Sequence, residues 1–340
     1  MHKSLKRGVK HYTDNSIINE LLYKSRRYKR KNSTTLNHFT NIGEVTEDVR
    51  VLEAYAGRHE RMKECNNYIK IKEDKDGNIK VQQTNLCRDR FCVLCNKIKS
   101  SKRVKEMTNV LNKMYKDNYL YKNSGNVLSL ITLTIKNCDL DELHQTINDI
   151  QAGYKKFYER KKVKDNIIAI SKNVEITLNE KTRQAHPHIH LLTINKRKSI
   201  TTKDIQLLWK ESMKLDYIPQ CDIVEAYETN EETGQKEDIH DFNIKAVREA
   251  LKYSFKFKSL ENLTTKEFFT LDQALKHKRL IAYSKLFKEY RKMLNYKDET
   301  EAEITNEDLE ETVSEFGDNN QVKEMLFAWS GVKRDYERIL

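Results

Sequence analysis

Paired histidines on a single strand face constrain this chain more than any other feature. His186-Pro187-His188-Ile189-His190 leads into an apolar run over 187–194 that reads as a β-strand. Alternate strand residues point to the same side, so His188 and His190 project together. Val174–Leu178 is a second strand, and the polar stretch 179–185 reads as the turn of a hairpin centred near residue 182. In that register Glu175 lies opposite His190 on the same face. Two imidazoles and a carboxylate suit a divalent cation with open coordination positions. His186, two residues along the same face, competes as the third ligand. Glu175 is preferred, because a carboxylate suits the Mg²⁺ or Mn²⁺ used on phosphates. Pro187 is tolerated because it opens the strand.

The hairpin sits in a longer pattern. A strand is predicted over 127–134, a helix over 140–160, the two hairpin strands, a helix over 202–214, a strand over 221–227 and a helix over 242–257. This β-α-β-β-α-β order predicts an α+β fold: a central antiparallel sheet of ferredoxin-like split βαβ topology, with helices over one face. Upstream, 61–96 reads as strands around a turn at Asp76-Gly77-Asn78, ending in a cysteine cluster. A helix follows over 97–118, with Val104, Met107, Leu111 and Met114 on one face. Asp14 or Asn15 caps a short helix that buries Ile17, Ile18, Leu21 and Leu22. The basic run Lys24–Lys31 after it is either a solvated linker or a phosphate-contacting arm. Residues 264–296 read as helical, 298–318 as an acidic flexible or surface segment, and Val322, Met325, Leu326, Trp329, Val332 and Tyr336 as a terminal amphipathic helix. The expected organisation is a basic N-terminal extension (1–60), a Cys-rich zinc module with a basic helix (61–120), a catalytic domain (121–260), a helical extension (261–297), and an acidic segment with its terminal helix (298–340).

Charge narrows the partner. The 340 residues carry a net charge of +12, and a third are charged. An anionic partner is expected, nucleic acid first. No apolar run is long enough to span a membrane, and the first residues lack the apolar core of a signal peptide, so the expected location is the cytoplasm. Cysteines there stay reduced, and clustered ones suggest metal. Cys87, Cys92 and Cys95 form C-x4-C-x2-C, with Cys65 upstream. Four thiolates close a tetrahedral structural zinc site; the competing reading is buried reduced thiols. Cys138 and Cys221 read as buried strand-end residues.

On the helix over 242–257, Glu249 and Tyr253 are four apart and Lys256 is three beyond, all along one face. Phe242, Ala246, Val247, Ala250 and Leu251 form an apolar stripe beside it. A tyrosine hydroxyl is a poor nucleophile at its free pKa of about 10. A nearby metal ion and the Lys256 ammonium favour the phenolate. The set suits tyrosine attack on a DNA phosphodiester, giving a 5′-phosphotyrosine and a free 3′-hydroxyl. Glu249 then activates a water, or a second 3′-hydroxyl, to release the protein.

At these residues the chain resembles the HUH endonucleases. Among them it is similar to the single-tyrosine plasmid rolling-circle replication initiators of Gram-positive bacteria. Leu130–Thr134 resembles their first motif, His186–His190 their metal motif, and Tyr253–Lys256 their Tyr-x-x-Lys motif; Glu249 stands where this subgroup keeps a second carboxylate. Ala246–Tyr253 fits as a stretch, and the resemblance spans roughly 61–296. It implies a protein that nicks one strand at a plasmid double-strand origin, primes synthesis from the 3′-hydroxyl, and ends by strand transfer or Glu-assisted hydrolysis. It also implies origin DNA, a host helicase and a DNA polymerase as partners. The family has cysteines at the same places, usually with a proline after the one matching Cys92, where this chain has Val93. Arg88, Arg90, Lys99, Lys102 and Arg103 flank the cluster, so this module is the candidate grip on origin DNA. Two alternatives differ. A relaxase or single-tyrosine transposase would share the histidine motif but not the cysteines together with Glu249-x3-Tyr253. A non-catalytic zinc-containing DNA-binding regulator would leave His188, His190, Glu249 and Tyr253 unexplained.

Overall fold

The computed structural model describes residues 13, 15–74, 77–120, 124–226, 244–252, 257–297, 308 and 322–340. In chain order the elements are helices α1 (Ser16–Thr40) and α2 (Val49–Glu64), strands β1 (Tyr68–Asp74) and β2 (Ile79–Thr84), and helix α3 (Val93–Lys116). Strand β3 (Asn126–Thr134), helices α4 (Leu143–Glu159) and α5 (Lys161–Asn166), strands β4 (Ile167–Leu178) and β5 (Ala185–Lys196), helix α6 (Thr202–Met213), strand β6 (Asp222–Glu225) and helix α7 (Ile244–Leu251) follow. Helix α8 (Thr265–Leu275), strand β7 (Ile281–Lys285), helix α9 (Leu286–Met293) and strands β8 (Val322–Ser330) and β9 (Asp335–Arg338) complete the chain. Contacts divide it into two compact units, Met1–Lys102 with Thr264–Lys266 and Glu303–Leu340, and Arg103–Leu263 with Glu267–Ala302.

In the first unit α1 is far longer than the short helix expected. Asn15 does cap it, its Oδ1 accepting from Ile17 N at 2.9 Å. The helix then continues through the whole basic run for 25 residues. Ile18, Leu22, Ser25, Asn32, Thr35 and Phe39 recur every three to four positions (or a multiple) and are buried. Three of these six are polar, which hides the inward face from a hydropathy reading. The basic run is therefore not a linker. The unit's sheet has the order β2-β1-β8-β9. The β1–β2 turn holds Gly77 at φ +78, where a side chain would be strained, and Asn78 N donates to Asp74 Oδ1 at 2.8 Å. Helix α2 already covers 49–64, so the strands begin at Tyr68.

The terminal amphipathic helix is replaced by the β8–β9 hairpin. Met325 and Phe327 alternate inward and pair with Ile71 and Ile69 of β1. Met325, Leu326 and Trp329 fit a helical period in isolation. Pairing along the whole of β1 selects the two-residue period instead.

The second unit's sheet has the order β6-β3-β5-β4-β7, antiparallel throughout. Within it β6-β3-β5-β4 is the ferredoxin-like arrangement, with β5 inserted between β3 and β4 of a split βαβ unit. On one face Ile131, Leu133, Ile189 and Leu191 pack on Ile150 and Phe157 of α4 and on Ile205 and Trp209 of α6. On the other, Leu128, Leu192 and Ile194 pack on Met107 and Leu111 of α3, Val247 and Leu251 of α7, and Phe287 of α9. The ferredoxin-like core thus carries a second helical layer. The stretch 264–296 is broken by β7, whose Ile281 and Tyr283 turn inward and whose backbone pairs with β4. Of the helix expected over 242–257, the described part is Ile244–Leu251 with Lys252 after it. Cys138 and Cys221 are buried beside strand ends, as expected.

Lys172, on β4, is 7% exposed, with its Nζ 4.9 Å from the Tyr154 ring centroid. Burial, with a smaller repulsion from Arg279, pushes its pKa down to about 8 from 10.5. The buried ammonium therefore costs stability below pH 8, and this cost fades as pH rises from 8 to 10.5. Lys172→Met is expected to raise the unfolding free energy at pH 7 by about 1–3 kcal/mol. Urea titrations at pH 7 and pH 10 should show the gap from wild type narrowing at the higher pH.

Candidate functional site

The strand alternation of β5 sends His188 and His190 to the face that continues into Leu192 and Ile194, under α7. Antiparallel pairing puts Glu175 directly opposite His188. This corrects the expected pairing with His190. The turn between Leu178 and Ala185 is centred one residue earlier than expected, so the register moves by two. A two-residue shift leaves every side chain on its face. The cluster is therefore unchanged: Glu175 Oε2 lies 3.1 Å from His188 Nε2 and 3.0 Å from His190 Nε2. His186 stands apart, its Nδ1 2.9 Å from Asn137 Oδ1.

The chemistry of this cluster fits a cation. His188 Nδ1 lies 3.2 Å from the His186 carbonyl, which can only accept, so Nδ1 is placed to donate to it. Its Nε2 faces a carboxylate oxygen, a position that a second ring proton or a metal ion can fill. Glu175 Oε1 is buried with no hydrogen-bond partner among the described residues. Together the three side chains could hold a metal ion.

Helix α7 supplies the remaining charges. Glu249 is half exposed, with Oε1 3.8 Å from His190 Nε2. Lys252, which sequence reasoning passed over, reaches Glu175 Oε2 at 2.8 Å and also pairs with Glu249. Its only signal was the i, i+3 spacing from Glu249 on a helix face. Burial opposes ionisation of Glu175, but bonds from His188, His190 and Lys252 outweigh it and hold the carboxyl well below the usual range. Burial likewise opposes the Lys252 charge, and its bonds to Glu175 and Glu249 more than offset this. Asn173 Nδ2, from β4, donates to the Lys252 carbonyl at 2.9 Å and ties the end of α7 to the sheet. Tyr253 and Lys256 lie outside the described residues.

The cysteines converge in the first unit. Cys65 ends α2, Cys87 follows β2, and Cys92 and Cys95 lie at the start of α3. The Sγ atoms of Cys65 and Cys92, Cys65 and Cys95, and Cys87 and Cys95 are each 3.7 Å apart. Metal–sulfur bonds of about 2.3 Å in a tetrahedron place sulfurs roughly 3.8 Å apart. Hydrogen bonds among the thiols draw Cys92 well down and push Cys87 and Cys95 far up. Four sulfurs this close share negative charge poorly without a cation, so the cluster could hold zinc.

Helix α1 completes this site in a way the sequence did not reveal. Buried Asn32 donates from Nδ2 to Cys92 Sγ at 3.2 Å and accepts from Val93 N at 2.9 Å. Val93 therefore supplies an N–H that a proline there would lack. Lys29 Nζ donates to the carbonyls of Lys63 and Cys65 at 2.6 and 3.0 Å. Arg58 of α2 pairs with Asp89 at 2.8 Å and stacks near Phe39, Tyr55 and Phe91. Among the basic residues flanking the cluster, Arg88 and Arg90 are exposed, Lys99 and Arg103 are partly buried, and Lys102 pairs with Asp308 at 2.9 Å.

Comparison with known proteins identifies the family. A replication protein family model (Rep_1) matches residues 78–337. The chain is 27% identical over 285 residues to a "Protein rep" of Streptococcus pneumoniae, covering 82% of this chain and 83% of that one. It is 30% identical over 265 residues to a "Protein rep" of Bacillus amyloliquefaciens, covering 72% and 75%. A "Protein rep" of Lentilactobacillus hilgardii is 29% identical over 287 residues, with 81% and 86% covered. No solved structure matches. The chain belongs to the replication protein family of Gram-positive plasmid rolling-circle initiators, and its role lies in plasmid replication. Among the described residues no helix is long and apolar enough to cross a membrane.

Proposed function

We infer that this replication protein nicks one strand at a plasmid double-strand origin with Tyr253 as nucleophile. The observation that carries the reading is the Glu175–His188–His190 cluster beneath α7, with Lys252, the covalent neighbour of Tyr253, bonded to Glu175. Tyr253 gives its hydroxyl proton to solvent, its oxygen attacks phosphorus to form a 5′-phosphotyrosine, and the bond to the 3′-oxygen breaks. That oxygen takes a proton and becomes the primer end. A bound Mg²⁺ or Mn²⁺, held by Glu175, His188 and His190, would polarise the phosphate and offset its developing charge. Lys252 at the cluster adds positive charge that offsets the phosphate's, and Lys256 is the second cation assigned to favouring the phenolate. Glu249, half exposed at the rim, takes the proton from a water or a second 3′-hydroxyl in the release step. The four cysteines hold a structural Zn²⁺, and Arg88, Arg90, Lys99, Lys102 and Arg103 contact origin DNA. A host helicase and a DNA polymerase act on the nicked product.

The test is cleavage of a 5′-labelled and a 3′-labelled single-stranded oligonucleotide spanning the nick site, resolved on a denaturing gel. Mn²⁺ should give a protein-linked downstream fragment, EDTA should stop it, and added Mg²⁺ or Mn²⁺ should restore it. Unchanged cleavage in EDTA would remove the metal assignment from His188 and His190.

A further inference from the structure

Helix α1 carries six Lys or Arg residues against one acid, Glu20. Two of the six serve the fold. Arg26 pairs with Asp335 at 3.3 Å and lies over Tyr23, and Lys29 caps the carbonyls next to the cysteine cluster and faces Trp329. The others, Lys24, Arg27, Arg30 and Lys31, are exposed. Lys24 pairs with Glu20 at 3.0 Å, but both side chains are 51% exposed, so the pair is weak and yields readily to a phosphate. Exposed Lys97 of α3 joins this face, its Nζ 2.7 Å from Tyr28 Oη and 5.3 Å from the centre of that ring.

We propose that the outer face of α1, with Lys97, is a surface that grips the phosphate backbone of duplex DNA. Lys24 and Lys31 are separated by about 10 Å along the helix axis, close to the roughly 12 Å width of a major groove. The cations can therefore reach phosphates on either side of it. The helix is rigid where contact is made, since Asn32 and Lys29 on its inner face fasten it to the cysteine cluster. Long cationic side chains on a fixed backbone suit phosphate contacts, which orient a duplex without reading its sequence. This surface rests on the reading of the protein as a DNA nickase, and its part is to hold duplex DNA.

The experiment measures fluorescence anisotropy of the full chain with two unrelated duplexes of about 30 base pairs, between about 50 and 200 mM salt. The variant is Arg27→Gln, Arg30→Gln, Lys31→Gln and Lys97→Gln combined, which keeps good helix formers at every position. Binding to both duplexes should weaken at least about tenfold, and the log–log salt slope should become shallower by about 3–4. Arg27→Lys with Arg30→Lys should retain the wild-type slope. Nicking of the short single-stranded oligonucleotide should persist in the Gln variant, so a failure of this surface is separable from a failure of the nickase reading. An unchanged slope, a loss confined to one of the two duplexes, or binding of the wild type to anionic phospholipid vesicles instead of duplex would overturn the proposal.

Discussion

Tyr253→Phe is expected to abolish both strand cleavage and the covalent protein–DNA adduct, while binding of DNA and of Mn²⁺ persists. Phenylalanine keeps the ring and loses the oxygen proposed to attack phosphorus. Deleting a nucleophile from a site whose other parts stay in place lowers rates by on the order of 10⁴- to 10⁶-fold. Glu175, His188, His190 and Lys252 form their contacts without the tyrosine hydroxyl, so the metal-binding cluster should be intact. A gel with labelled oligonucleotide reads cleavage and adduct together, and calorimetry with Mn²⁺ reads the site. Glu249→Gln supplies the contrast: the first nick remains, the release step fails, and adduct accumulates. Wild-type levels of adduct in Tyr253→Phe would move the nucleophile to another residue.

Cys92→Ser is expected to release the metal from the cysteine cluster and unfold much of the first unit. Cys92 is completely buried, touches Cys65 Sγ and is braced by Asn32. Structural zinc contributes an apparent binding free energy of about 10–16 kcal/mol at neutral pH, comparable to the whole stability of a domain. The cluster joins the end of α2, the loop after β2 and the start of α3, so its loss frees three segments at once. Zinc content by a colorimetric chelator should fall to near zero. Hydrogen exchange should speed up in α1, at the end of α2 and in residues 85–100. Asn32→Ala should act more gently, with metal affinity reduced about 10- to 100-fold, as expected of a partner to a ligand. A Cys92→Ser protein with unchanged zinc content and exchange would return the cysteines to ordinary buried thiols.

Much of the candidate site was legible because its geometry follows from short-range periods. A strand repeats every two residues, so His188 and His190 had to share a face; Glu175, on the neighbouring strand, joined them because the expected register was wrong by two residues and not by one. Cysteine spacing worked the same way, through a turn and the start of a helix. Where two periods fit equally well, the sequence could not choose. Residues 322–330 form a strand because β1 offers a paired edge and apolar partners, information held some 250 residues away. Helix α1 was read short because its buried face uses Ser25, Asn32 and Thr35, whose partners include a cysteine sulfur remote in sequence. Lys252 entered the site only when α7 folded onto the sheet beside Glu175. The sequence alone thus determined which side chains face together within an element and which chemistry they can perform. The tertiary structure decided which elements meet, because hydrogen-bond partners and buried charges are satisfied by groups far apart along the chain.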